Sequence, residues 1–119
     1  MRFVTASLSA GLLLGLIAAS HAGDLVKPAD IKTTFFTGQP FTASTRTNIK
    51  FTMTATPDGK ITREPVGKSG VKGEGTWKLS TDGFCTAWKG SKSTCYRLIT
   101  DDKKWSVMSG TNAVAYWTK

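Results

Sequence analysis

Cys85 and Cys95 stand ten residues apart on either side of a Lys89-Gly90-Ser91 turn, and no other feature constrains the fold of this chain as strongly. Pairing Trp88 with Lys92 across that turn sets Cys85 directly opposite Cys95 and Phe84 opposite Tyr96, within disulfide reach. A second register agrees with the first. If Asp82-Gly83 is a two-residue turn, Thr81 pairs with Phe84, Leu79 with Thr86, and Trp77 with Trp88. Trp77, Leu79, Phe84, Trp88, Tyr96 and Leu98 then share one buried face, while the disulfide, Lys78 and Arg97 belong to the other. Independent local signals that agree in this way mark a sequence that specifies one structure.

A disulfide needs an oxidising compartment, and the N-terminus reads as the means of reaching one. Arg2 is a basic start, Leu8 to Ala19 an apolar run, and Ser20-His21-Ala22 a small-x-small cleavage site. The unbroken apolar core from Ala10 to Ala19 is shorter than the roughly 20 residues a spanning helix needs. No cysteine adjoins the cleavage point and Arg2-Phe3 lacks paired arginines, which argues against a lipoprotein or a twin-arginine signal. Residues 1–22 are therefore expected to be a signal peptide, and residues 23–119 a single disulfide-stapled β-domain, periplasmic or secreted, with no stable membrane insertion after signal removal. A domain of this size holds one modest core, to whose stability a disulfide adds roughly 2–4 kcal/mol.

Along the domain, Leu25 to Gly38 fits a short helix, with Pro28 in its first turn and Ile31, Thr34 and Phe35 on one face. Ile49, Phe51 and Met53 alternate with Lys50, Thr52 and Thr54 as in a half-buried strand. Pro57-Asp58-Gly59 turns the chain into a returning strand at Ile61-Thr62-Arg63. Residues 64–75 carry one proline and four glycines and read as a surface loop or irregular hairpin. Beyond the cysteine hairpin, turns at 101–104 and 109–112 frame strands at Trp105 to Met108 and Ala113 to Thr118. The expected fold is mainly β: an antiparallel sheet or small, partly open barrel of about seven short strands with one N-terminal helix.

Phe35 to Gly38, Phe51 to Gly59, Gly75 to Trp77, Cys85 with Trp88, and Cys95-Tyr96-Arg97 together resemble a family of small exported proteins of proteobacteria, of unknown function and common among rhizobia. These motifs cover most of the domain but are turns, aromatics and a disulfide. The resemblance implies an exported β-domain and brings no catalytic or binding residues with it. The Gly-Thr-Trp strand also resembles calycin-type barrels, although 97 residues is short for a closed eight-stranded cup with a large cavity.

The only histidine, His21, lies in the segment expected to be removed, which leaves no imidazole for acid–base work or metal binding. Paired cysteines offer neither a thiol nucleophile nor a zinc ligand. Gly67-Lys68-Ser69 ends like a phosphate-binding loop, yet Thr62 stands where that motif needs its first glycine. Glu64 and Glu74 could form a glycosidase pair, but both fall in the glycine-rich region, where solvated charge is the default. No enzyme activity, cofactor or metal is expected. Removing residues 1–22 takes away one of the 16 Lys and Arg and none of the 8 acids, leaving a net charge near +7 that favours anionic partners. Nucleic acid is not expected among them, because export separates the protein from it. The expected function is a non-enzymatic exported binding module for an anionic envelope component or acidic protein, with Lys78, Trp88, Lys89, Lys92 and Arg97 as candidate binding residues. The alternative is a small secreted inhibitor or effector that docks on a protein through the 64–75 loop or the 89–92 tip.

Overall fold

The computed structural model describes residues 23–101 and 104–119; the segment read as a signal peptide, with His21, and positions 102 and 103 of the expected 101–104 turn lie outside them. Eight strands follow one another as an antiparallel meander: β2 (Phe41–Thr45), β3 (Lys50–Ala55), β4 (Lys60–Pro65), β5 (Gly73–Leu79), β6 (Phe84–Trp88), β7 (Thr94–Asp101), β8 (Lys104–Ser109) and β9 (Asn112–Thr118). The last strand returns to the first, Ala43 opposite Trp117 and Ser44 opposite Tyr116, and the sheet closes into a barrel. The short strand β1 (Asp24–Leu25) adds to β7 beyond the end of β6.

Alternation decides which residues fill the barrel. Phe41 and Ala43, Met53 and Ala55, Ile61, Trp77, Phe84, Leu98, Val107 and Trp117 are all buried, each on the inward parity of its strand. The expected inward set holds, since Leu79, Trp88 and Tyr96 pack against this core as well.

Helix α1 (Pro28–Phe35) closes one end. Pro28 occupies a position where its missing N–H costs nothing, and Asp30 lies in the first turn, at the positive end of the helix dipole. Ile31, Phe35 and the adjoining Phe36 are each no more than 1% exposed. The Phe35 ring meets Phe41, Trp105 and Trp117 edge-on, each at 5.0 Å, and Phe36 lies 4.4 Å from Trp77. The indole N–H of Trp77 donates to the Thr56 carbonyl at 2.8 Å, so the buried ring leaves no polar atom unsatisfied. At the same end, the Thr56 hydroxyl donates to the Asp58 carboxylate in the β3–β4 turn and holds its pKa below the ordinary value.

Four expectations need correction in detail. The helix begins at Pro28 rather than Leu25, because Asp24 and Leu25 are drawn into the ladder with Thr100 and Ile99. The expected mainly β, antiparallel fold with one N-terminal helix holds, but Phe41–Thr45 is a strand that polar Thr and Ser residues conceal, so the barrel has a strand beyond the expected seven and closes fully. The glycine-rich stretch is shorter than 64–75, since β4 runs to Pro65 and β5 starts at Gly73. In the β5–β6 hairpin, Leu79 pairs with Phe84, Trp77 with Thr86, and Gly75 with Trp88. This register differs from the expected one by two residues, and an even slip leaves every side chain on its face. Ser80 to Gly83 makes the turn, and Gly83 is required for a different reason. A Cβ there would lie 1.9 Å from the Tyr96 carbonyl oxygen of β7.

Candidate functional site

The end opposite α1 carries the connections 46–49, 66–72, 89–93 and 110–111. Behind them the barrel holds an interior cavity of about 240 Å³. Phe84, Val107 and Trp117 lie toward the helix, and the small residues Ala43 and Ala115 leave room along β2 and β9. Met53, Ile61 and Trp88 line it too, with Ser44, Thr45, Thr86 and Tyr96 as polar groups in a mostly apolar wall. The volume falls below the roughly 300–1,000 Å³ of drug-sized pockets and suits a small ligand.

Among the described residues one cation faces this interior. Arg63 follows Ile61 on the inward parity of β4, and its side chain reaches the cavity beside Trp88. The guanidinium lies 4.5 Å from the centre of the Trp88 ring and 5.5 Å from that of Phe51, so cation–π attraction holds it in place. Gly73, directly across on β5, provides the space, since a Cβ there would come within 3.0 Å of Arg63 Nε. Nε is buried and has no hydrogen-bond partner, and among the described residues no carboxylate pairs with the guanidinium. A buried guanidinium donor left unpaired costs free energy, and a carboxylate or similar fork-shaped anion would satisfy it.

Charge is unevenly divided between the ends. The open-end connections bring Arg46, Lys68, Lys72, Lys89 and Lys92, and no acid. Asp58 and Asp82 fall in turns at the other end, and Asp30 lies on the plugging helix. Glu64 and Glu74 are exposed on the outer face near the mouth, Glu64 lying 3.9 Å from Lys72.

Of the residues singled out in the sequence, Trp88, Lys89 and Lys92 come together at the open end, Trp88 pointing inward and the lysines exposed at the tip. Lys78 is exposed on the outer face opposite Cys85, away from the mouth. Arg97 lies on the outer wall, where its guanidinium donates to the Gly110 carbonyl at 2.6 Å. Cys85 and Cys95 are bonded directly across the β6–β7 ladder in the expected register. The central residue, Arg63, reads in the sequence as one position of a returning strand, and its signal there is a charge on the inward parity, between Ile61 and Pro65.

Among the described residues no group of three His, Cys, Asp or Glu could hold a metal, and no helix is long and apolar enough to cross a membrane. The disulfide fits an oxidising environment. Comparisons of the chain with family models, curated proteins and solved structures give no match.

Proposed function

We propose that the protein is a non-enzymatic, exported binding module that takes a small amphipathic anion into the open end of its barrel, apolar body inward and acidic head on Arg63. The observation that carries this reading is the buried, unpartnered Nε of an arginine held by two rings at an apolar cavity. Side-chain orientation on such a site is prepaid, because Phe51 and Trp88 already restrict the guanidinium. The basic open-end connections add long-range attraction for the same sign of ligand. The reading narrows the anionic partner expected from composition to a molecule small enough for the cavity. The resemblance to exported proteobacterial proteins agrees with it in compartment and says nothing of the ligand.

Calorimetric titration with octanoate and with octan-1-ol tests the assignment. Octanoate should bind more tightly than the alcohol of equal length, and Arg63→Met should lower octanoate affinity by about tenfold to a hundredfold while leaving the alcohol unaffected. Equal octanoate binding by wild type and Arg63→Met, or none by either, would remove Arg63 from the site.

A further inference from the structure

We infer that the open end of the barrel seats on an anionic lipid surface, with Val66 and Val71 of the β4–β5 loop entering the headgroup layer among lysines that meet the lipid phosphates. Val66 is 62% and Val71 72% exposed, the two highest values among the exposed large hydrophobic residues described; the third, Leu25, lies on β1 at the helix-plugged end. Each has a lysine close by in the chain, Lys68 and Lys72, so the loop interleaves apolar and basic side chains at its surface.

The loop is braced rather than loose. Val66 N–H donates to the Lys50 carbonyl at 3.0 Å. Gly70, at φ +100°, passes so close to the barrel wall that a Cβ would lie 2.9 Å from the Phe51 ring and 3.1 Å from Ile49. Both valines are therefore presented outward by a fixed backbone. Arg46, Lys89 and Lys92 on the neighbouring connections complete a positive rim; the acids nearest it, Glu64 and Glu74, lie on the adjoining strands, Glu64 3.9 Å from Lys72.

The chemistry of the rim chooses between a bilayer and an acidic protein. A protein interface concentrates its energy in exposed aromatic or arginine anchors that enter pockets. No Trp, Tyr or Phe among the described residues is exposed, and the one arginine of the rim, Arg46, is on a different connection from both valines. Two aliphatic side chains set in diffuse positive charge suit a lipid headgroup layer, where shallow apolar insertion and attraction to anionic phosphates act together. The cavity opens at the same end, but the inference needs neither Arg63 nor an interior ligand.

Co-sedimentation of the purified exported protein with vesicles of phosphatidylglycerol and phosphatidylcholine, against phosphatidylcholine alone, tests it. Wild type should bind the anionic vesicles and not the zwitterionic ones. Val66→Ser with Val71→Ser, which leaves net charge unchanged, should weaken binding by about tenfold. Lys68→Gln with Lys72→Gln should weaken it and flatten its salt dependence. All four positions are exposed, so circular dichroism and the thermal midpoint should stay at wild-type values. Arg63→Met should bind vesicles as wild type does, which separates this surface from the cavity. Absence of binding to anionic vesicles overturns the inference, as does a valine double variant that binds like wild type. Loss of vesicle binding in Arg63→Met would move the lipid contact into the cavity, and tighter binding to soluble polyglutamate than to vesicles would make the partner an acidic polypeptide; either overturns it too.

Discussion

Arg63 and Trp77 occupy the same parity of the barrel interior, yet physical chemistry gives them opposite duties. Trp77 is 9% exposed, its ring packs on Phe36 and its N–H is satisfied by the Thr56 carbonyl. Arg63 has only ring contacts and a donor without an acceptor. Truncating Trp77 to Ala should therefore cost about 3–5 kcal/mol, as for a large-to-small core change. Arg63→Met should leave stability within about 1 kcal/mol of wild type, because lost cation–π attraction is offset by removal of the buried, unpaired Nε. Urea denaturation of the two variants measures both. A large loss for Arg63→Met would mean that the side chain holds the fold together instead of awaiting a ligand.

At the scale of elements, the β5–β6–β7 unit is the part that local rules reached. The cysteine register was legible because a glycine turn and two opposed cysteines leave few pairings open, and Cys85 does meet Cys95. The neighbouring hairpin was legible in its faces but not its register, since Gly83 serves a close backbone approach to β7 that no local pattern announces. Two expectations follow. Cys85→Ser should lower stability by roughly 2–4 kcal/mol while the far-ultraviolet spectrum is retained, because the cross-link acts mainly on the unfolded chain. Gly83→Ala should destabilise more than Gly90→Ala, even though Gly90 has the positive φ of +87°, because nothing lies within 4 Å of a Cβ at Gly90 while one at Gly83 meets the backbone of Tyr96. Thermal melts of the two glycine variants would decide the order.

Across the whole molecule, one end is plugged by aromatic rings around α1 and the other is open and basic, so the binding site proposed above faces one way. Processing belongs to the same scale. Gly23 adopts φ +60° where β1 meets β7, and a Cβ there would lie 2.5 Å from the Thr100 carbonyl oxygen. A glycine at this position lets the backbone lie flush against β7. Intact-mass measurement of the exported protein should give a chain that begins at Gly23 and weighs two hydrogen atoms less than its reduced form. Retention of Met1, or thiols that alkylate without reduction, would contradict export through an oxidising compartment.

Local signals in the chain suffice for the class of fold, the inward and outward faces of most strands, the disulfide and the excess of positive charge. These follow from a period of two, from turn chemistry and from composition, all of which act over a few residues. Tertiary structure alone decided that the sheet closes, because the β2–β9 pairing joins residues more than 60 positions apart through a Thr- and Ser-rich strand with little apolar signal. It also decided the site. Arg63 becomes distinctive only when β4 curls its inward face against Phe51, Trp88 and the bare backbone of Gly73, because whether a guanidinium nitrogen is solvated or buried without a partner depends on neighbours that closure brings to it.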